Sequence, residues 1–184
     1  MKSPVSARSK VFRLVLNALF IALFFVISTY LTVKLPTVEL SLSSLPILLC
    51  AFLLGPVDAL AVALCGSFLE QMMYGLTPTA PLWMLPVVLQ ALFAGILGWM
   101  IRKSPRLWKQ MVIIVAAELL LNFANTYVLY LCGYIMAEIQ SPVLIIVGFL
   151  TRTPVACVRA VLSCILIPLL LPPLRKFLKE KGIL

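Results

Sequence analysis

Basic residues in this chain are confined almost entirely to three short clusters, and the sequence between the clusters is nearly pure apolar. The clusters are Lys2, Arg8, Lys10 and Arg13; Arg102, Lys103, Arg106 and Lys109; and Arg175, Lys176, Lys179 and Lys181. Of the 15 Lys and Arg residues, only Lys34, Arg152 and Arg159 fall elsewhere. A lipid core offers no hydrogen-bond partners, so a long apolar run inside it must satisfy its backbone within a helix. Lys and Arg flanking such runs stay on the cytoplasmic side. Composition agrees: the chain is 63% apolar and 11% charged, against roughly 45–50% and about 25% in a soluble domain. The net charge of +9 sits at span boundaries rather than on a polar face, which excludes a nucleic-acid-binding role.

Parity then counts the spans. If all three clusters are cytoplasmic, each stretch between them crosses an even number of times. The stretch from Leu14 to Ile101 holds four spans of about 20 residues; the stretch from Gln110 to Leu174 would hold nearly three, and parity leaves two. Leu14 to Val33 is of spanning length with no clear small-residue cleavage site after it, so it reads as a first span rather than a signal peptide. The expected fold is all-α: one domain over residues 1–184, an integral membrane bundle of six transmembrane helices with both termini cytoplasmic and short tails at about 1–11 and 175–184. The expected spans are about 12–33, 43–54, 57–75, 82–101, 109–132 and 153–174. Ser43 and Ser44 are expected near the N-terminus of the second, and Gly55-Pro56 makes a tight inner turn. Pro168 is expected to kink the sixth span and Pro172-Pro173 to end its regular part. Residues 133–153 are left outside, and Val143–Leu150 within them is expected to be interfacial, re-entrant or a lid.

Ionisable residues within spans are expensive and mark functional sites by default. At about 1.5 Å per residue, Glu70, Gln90, Asn125 and Arg159 all lie roughly 18–24 Å from the nearest inner boundary, in the outer half of a core about 30 Å thick. Glu118, Asn122 and Asn125 follow an i, i+4, i+7 spacing, so they share one helix face that must point into the bundle. Two readings stand side by side. In one, these polar groups are glue between helices, with Glu70 and Arg159 forming a mutual ion pair. In the other, they line an outward-facing pocket where Arg159 and Arg152 receive an anionic group through planar guanidinium forks. Phe68, Tyr74, Trp83, Tyr127 and Tyr130 sit at a similar level, either as interface anchors or as a stacking wall for a flat heterocycle. Ala18 and Ala22 form a small-xxx-small pair on the first span, as do Ala59/Ala63 and Ala91/Gly95; each can let another helix approach closely.

Other chemistry is disfavoured. The chain has no His, so a Ser-His-Asp triad and a structural zinc site are not expected. The five cysteines (Cys50, Cys65, Cys132, Cys157 and Cys164) form no CxxC pair and read as small buried hydrophobes. There is no P-loop, so any ATP-driven work belongs to another subunit. An intramembrane enzyme using Glu70 or Asp58 as a base lacks a nucleophile–base pairing. A stand-alone proton-coupled transporter lacks the repeated charges of a relay.

Three stretches carry a resemblance: Leu16–Ser28, Leu40–Glu70 with Pro46 and Gly55-Pro56, and Arg152–Leu178. Through them nearly the whole chain resembles the substrate-binding (S) components of energy-coupling factor (ECF) transporters, most closely the folate-type group. The resemblance implies a vitamin cavity opening outward, loops that close over it, and docking onto a transmembrane coupling protein that carries two ATPases. It places the coupling contact on Ala18 and Ala22. The resulting expectation is a vitamin-capture subunit in a prokaryotic plasma membrane, folate-like in ligand. Its substrate residues would be Arg159, Arg152, Asn125, Asn122, Glu70, Gln90, Trp83 and Tyr74. No catalytic residue, metal or cofactor is expected. An S component for another vitamin or related micronutrient and a stand-alone proton-coupled small transporter are the alternatives.

Overall fold

The computed structural model describes residues 4–34, 39–101, 106–135 and 143–180. Six helices account for almost all of them: α1 (Pro4–Tyr30), α2 (Ser44–Leu53), α3 (Pro56–Met73), α4 (Ala80–Met100), α5 (Leu107–Ile135) and α6 (Val143–Glu180). Two short strands, β1 (Val33–Lys34) and β2 (Glu39–Leu40), pair antiparallel in the link between α1 and α2, with Val33 opposite Leu40. The helices run alternately up and down. α1 packs on α3, α3 on α4, α4 on α5 and α5 on α6, while α2 touches α1, α3, α4 and α6 from within. The short helix is therefore the axis and the five long ones are its wall.

The sequence explains that arrangement. α2 is apolar on every side, and Ile47, Leu48 and Cys50 have no exposed surface; a helix hydrophobic all round is stable only where it is surrounded. It stops at Gly55, whose φ of +108° leaves open space around a hypothetical Cβ, so conformation rather than room requires glycine there. Pro56 then opens α3 at its first helical position, where a missing N–H costs nothing. Gly95 of α4 crosses this turn so closely that a Cβ would fall 2.6 Å from the Pro56 Cα. Ala59, Ala63, Ala91 and Ala94 are all fully buried along α3 and α4. The Ala59/Ala63 and Ala91/Gly95 pairs are thus an internal seam, whereas Ala18 and Ala22 both face outward.

The outer surface is apolar. Leu14, Leu31, Leu150 and Leu169 are among many large hydrophobic side chains that stand exposed, far beyond what a protein in water tolerates. Among the described residues four helices are long and apolar enough to cross a membrane: Lys10–Tyr30, Ala80–Met100, Leu107–Gly133 and Ile146–Glu180. The expected boundaries of the second, third and fourth spans agree with α2, α3 and α4 to within a few residues.

The structure corrects the expectations in three places. Val143–Leu150 is no separate segment; it forms the first turns of α6. Nor do Pro172 and Pro173 end that helix, which runs on to Glu180, because each proline removes one donor while lipid gives the remaining groups no alternative to the helix. Cys65 and Cys157 are exposed rather than buried; on a lipid-facing surface a small apolar side chain loses nothing by it. Lys2, Thr37, Arg102, Lys103 and Lys181 lie outside the described residues.

Candidate functional site

A cavity of about 710 Å³ opens at the end of the bundle opposite the N-terminus of α1. It exists because α2 is short. Its ten residues rise about 15 Å, against 18 to 38 residues in the helices it touches, and Ser41 and Ser43 just before α2 form part of the cavity lining. The walls come from the other helices: Phe24 of α1, Glu70 and Gln71 of α3, Trp83 and Val87 of α4, Leu121, Asn122 and Asn125 of α5, and Arg152, Val155 and Arg159 of α6.

Local chemistry sets the rim. α3 ends in a Schellman motif: the Leu76 N–H donates to the Gln71 carbonyl at 3.2 Å and the Gly75 N–H to the Met72 carbonyl at 3.3 Å. Gly75 takes the positive φ this motif requires, and Leu76 follows it at φ +36°. The motif turns the chain at once, so Tyr74 and Thr77 stay beside Glu70 and Gln71 at the cavity. Thr77 and Thr79 share a hydroxyl–hydroxyl hydrogen bond of 3.1 Å, and Thr79 opens α4.

The floor is a charged group held by three helices. Glu118 of α5 is fully buried, and its Oε2 lies 3.3 Å from the Arg159 Nε of α6, whose side chain is only 11% exposed. The other carboxylate oxygen, Oε1, accepts hydrogen bonds from the Ser44 hydroxyl of α2 at 2.5 Å and the Ser163 hydroxyl of α6 at 3.4 Å. One turn up on α5, the Asn122 side-chain amide donates to the Thr153 hydroxyl of α6 at 3.5 Å. The i, i+4, i+7 face of α5 does point inward. It serves both expected purposes: Glu118 and Asn122 bridge helices, and Asn122 and Asn125 line the cavity.

The geometry corrects two expectations. Arg159 pairs with Glu118 and not with Glu70, although both Arg159 and Glu70 line the same space. Gln90 is fully buried and absent from the cavity lining, and its amide has no hydrogen-bond partner among the described residues. The remaining expected substrate residues (Arg159, Arg152, Asn125, Asn122, Glu70, Trp83 and Tyr74) all line the cavity. Phe68, Tyr127 and Tyr130 do not. Sequence reasoning missed Gln71 and the hydroxyl groups of Thr32, Ser41, Ser43, Thr77 and Thr79. Their signal was weak because hydroxyl residues near span ends are ordinary loop and cap residues.

A second polar cluster lies at the opposite end of the bundle. The Arg13 Nε donates to Asp58 Oδ2 at 2.9 Å, a terminal nitrogen of the same guanidinium also bonds Oδ2, and the Asn17 amide donates to Oδ1 at 2.7 Å. Arg13 additionally reaches the Leu54 carbonyl at 3.3 Å. This group ties α1 to the turn between α2 and α3. Asp58 is therefore a structural anion, held away from the cavity, and not a base poised for chemistry.

Comparison with known proteins follows the same lines. The family model described as "ECF-type riboflavin transporter, S component" matches residues 8–176. No curated protein matches the chain. The match supports the ECF S-component resemblance but gives the folate-type group no support, since the matching type is the riboflavin one. This is a transporter family and not a family of enzymes. The chain belongs to the S-component family of ECF-type riboflavin transporters, multi-pass proteins of the cell membrane that bind a vitamin within the membrane and work with a transmembrane T component and two ATPases.

Proposed function

We propose that the cavity captures riboflavin from the outer face of the membrane and holds it for ATP-driven uptake by the partner subunits. The observation that carries this reading is the balance of charge around the cavity. Glu70, Arg152 and Arg159 line it, and Glu118 compensates Arg159 from directly beneath. Among the described residues these four formal charges cancel. An uncharged ligand suits such a site, whereas a folate, with its carboxylates, would need an excess of cation. Trp83 and Tyr74 offer flat faces for an aromatic ring system. Amides and hydroxyls on several walls suit a ring edge and a polyol chain, which need many neutral hydrogen bonds. The volume falls within the range of roughly 300–1,000 Å³ usual for small-molecule sites.

The orientation follows from the basic clusters. With all three on the cytoplasmic side, both termini are cytoplasmic, all six helices belong to the membrane domain, and the cavity faces outward. α2 on its own is too short to cross; its segment completes the crossing through the cavity-lining residues before it. Ala18 and Ala22, small and exposed on α1 beside Leu14 and Leu19, form a flat stripe on which the coupling protein can dock.

Titrating riboflavin into the purified chain, without ATP or partner subunits, tests the reading through quenching of flavin fluorescence. Saturable one-to-one binding that excess folate does not displace is expected. Absence of riboflavin binding overturns it, and binding of folate in its place would restore the folate-type reading.

A further inference from the structure

Arg159 lines the cavity with a side chain only 11% exposed, and its behaviour toward a ligand depends on what stands behind it. Among the described residues its one partner is Glu118, at 3.3 Å through Nε. Glu118 has no exposed surface and does not line the cavity, so it cannot touch a ligand. It is nevertheless fixed with unusual care: Ser44 and Ser163 both donate to its Oε1, which leaves Oε2 turned toward Arg159. A buried carboxylate costs several kcal/mol in desolvation unless it is paired and hydrogen-bonded. Helix packing alone would be served as well by a neutral Gln. The negative charge is what needs explaining.

We propose that Glu118 is a specificity-determining positioning residue. By compensating Arg159 from below, it keeps the cavity floor electrically neutral and sets the site to prefer uncharged ligands over anionic ones. Ser44 and Ser163 hold the carboxylate in that role. Without it, Arg159 would present an uncompensated cation to the cavity, and the same walls would favour an anion. This rests on the reading of the cavity as a flavin site and adds to it the origin of the charge selectivity.

The test compares riboflavin with its phosphate ester, flavin mononucleotide, on the full chain in detergent. The quantity read is the ratio of the two dissociation constants. The wild type is expected to favour riboflavin. In Glu118→Gln the ratio should shift toward the phosphate ester by at least about tenfold, since a unit charge about 10 Å away at an effective dielectric constant of about 20 is worth about 16-fold for each charge on the ligand and the ester carries about 1.5 to 2. Glu118→Asp keeps the charge and should stay within about threefold of wild type, and Glu118→Gln combined with Arg159→Gln restores neutrality and should do the same. A purely structural role for Glu118 would weaken both ligands together and leave the ratio unmoved in every variant, which overturns the proposal. If Glu118→Gln alone does not accumulate, Arg159→Gln compared with the double variant decides: removing Arg159 alone leaves Glu118 uncompensated and should move the ratio about tenfold away from the ester, adding Glu118→Gln should restore it, and a ratio that the second substitution leaves unmoved refutes charge compensation. A wild type that binds neither flavin sinks the flavin reading itself, whereas normal riboflavin binding with a wild-type ratio in Glu118→Gln sinks only the role of Glu118.

Discussion

Adding one methyl group at Gly95 separates two opposing effects. In a helix interior, Ala is favoured over Gly by about 1 kcal/mol, so Gly95→Ala would stabilise α4 if nothing stood in the way. Here the added Cβ would lie 2.6 Å from the Pro56 Cα, 3.0 Å from its Cβ and 3.2 Å from its nitrogen. The obstacle is backbone, fixed by the Gly55–Pro56 turn, and cannot rotate aside. Overpacking of that kind costs about 1–3 kcal/mol, and an immovable neighbour places it near the upper limit. The net expectation is destabilisation by about 1–2 kcal/mol. Gly148→Ala is the internal control: its Cβ would meet only the Thr126 methyl at 3.5 Å, ordinary contact, so it should gain about 0.5–1 kcal/mol. At about 2–4 °C per kcal/mol for a chain of this size, the two variants should melt roughly 3–12 °C apart, in opposite directions from wild type. Thermal unfolding in detergent, followed by near-ultraviolet circular dichroism, measures this. Riboflavin affinity should fall in Gly95→Ala as well, because α4 carries Trp83 to the cavity. A melting temperature for Gly95→Ala at or above wild type would refute the close crossing of α4 over the turn.

Two further perturbations probe the remaining surfaces. Ala18→Trp and Ala22→Trp should leave riboflavin affinity of the isolated chain unchanged while abolishing ATP-driven uptake in proteoliposomes containing the T component and both ATPases; uptake at wild-type rate would remove α1 from the coupling surface. Asp58→Asn should lower stability by about 1 kcal/mol, a figure held down because Arg13 is 46% exposed and screened by solvent. Riboflavin titration of that variant should match wild type, and a large loss of affinity would show that the two polar clusters are linked through the bundle.

Helix boundaries were legible wherever a local signal fixed them. Gly55-Pro56 ends one helix and begins the next through backbone conformation alone, and Tyr74-Gly75 ends α3 in the same way. The sixth helix was misread because its prolines were weighed as they act in water. In lipid the unpaired carbonyl below each proline has no solvent to turn to, so the helix continues and absorbs Val143–Leu150 at its other end. The small-residue pairs show a different limit. Ala18/Ala22, Ala59/Ala63 and Ala91/Gly95 have the same spacing, yet the first faces out and the others form a seam inside. Nothing in the spacing distinguishes them, because helices apolar all round, such as α4, carry no polar face to orient them.

The same limit explains the site. Counting residues from a basic boundary gives height along the membrane normal but not direction around the helix axis. Glu70, Asn125 and Arg159 lie at one level and do meet at one cavity; Gln90, at a similar level, faces the packed interior of the bundle. Direction was recoverable only on α5, where Glu118, Asn122 and Asn125 repeat at helical spacing and define a face by themselves. The partner of Arg159 was beyond counting altogether, because it depends on which helices are neighbours. α5 and α6 pack side by side, and a long guanidinium stem on one reaches a carboxylate set deeper on the other. Arg159, taken alone, reads as an anion-binding residue and points to a carboxylate-bearing vitamin. Paired with Glu118 it becomes half of a neutral floor, and on the proposed reading the ligand that suits it changes from a charged one to an uncharged one. The identity of a single buried partner thus outweighs the identity of the residue lining the cavity.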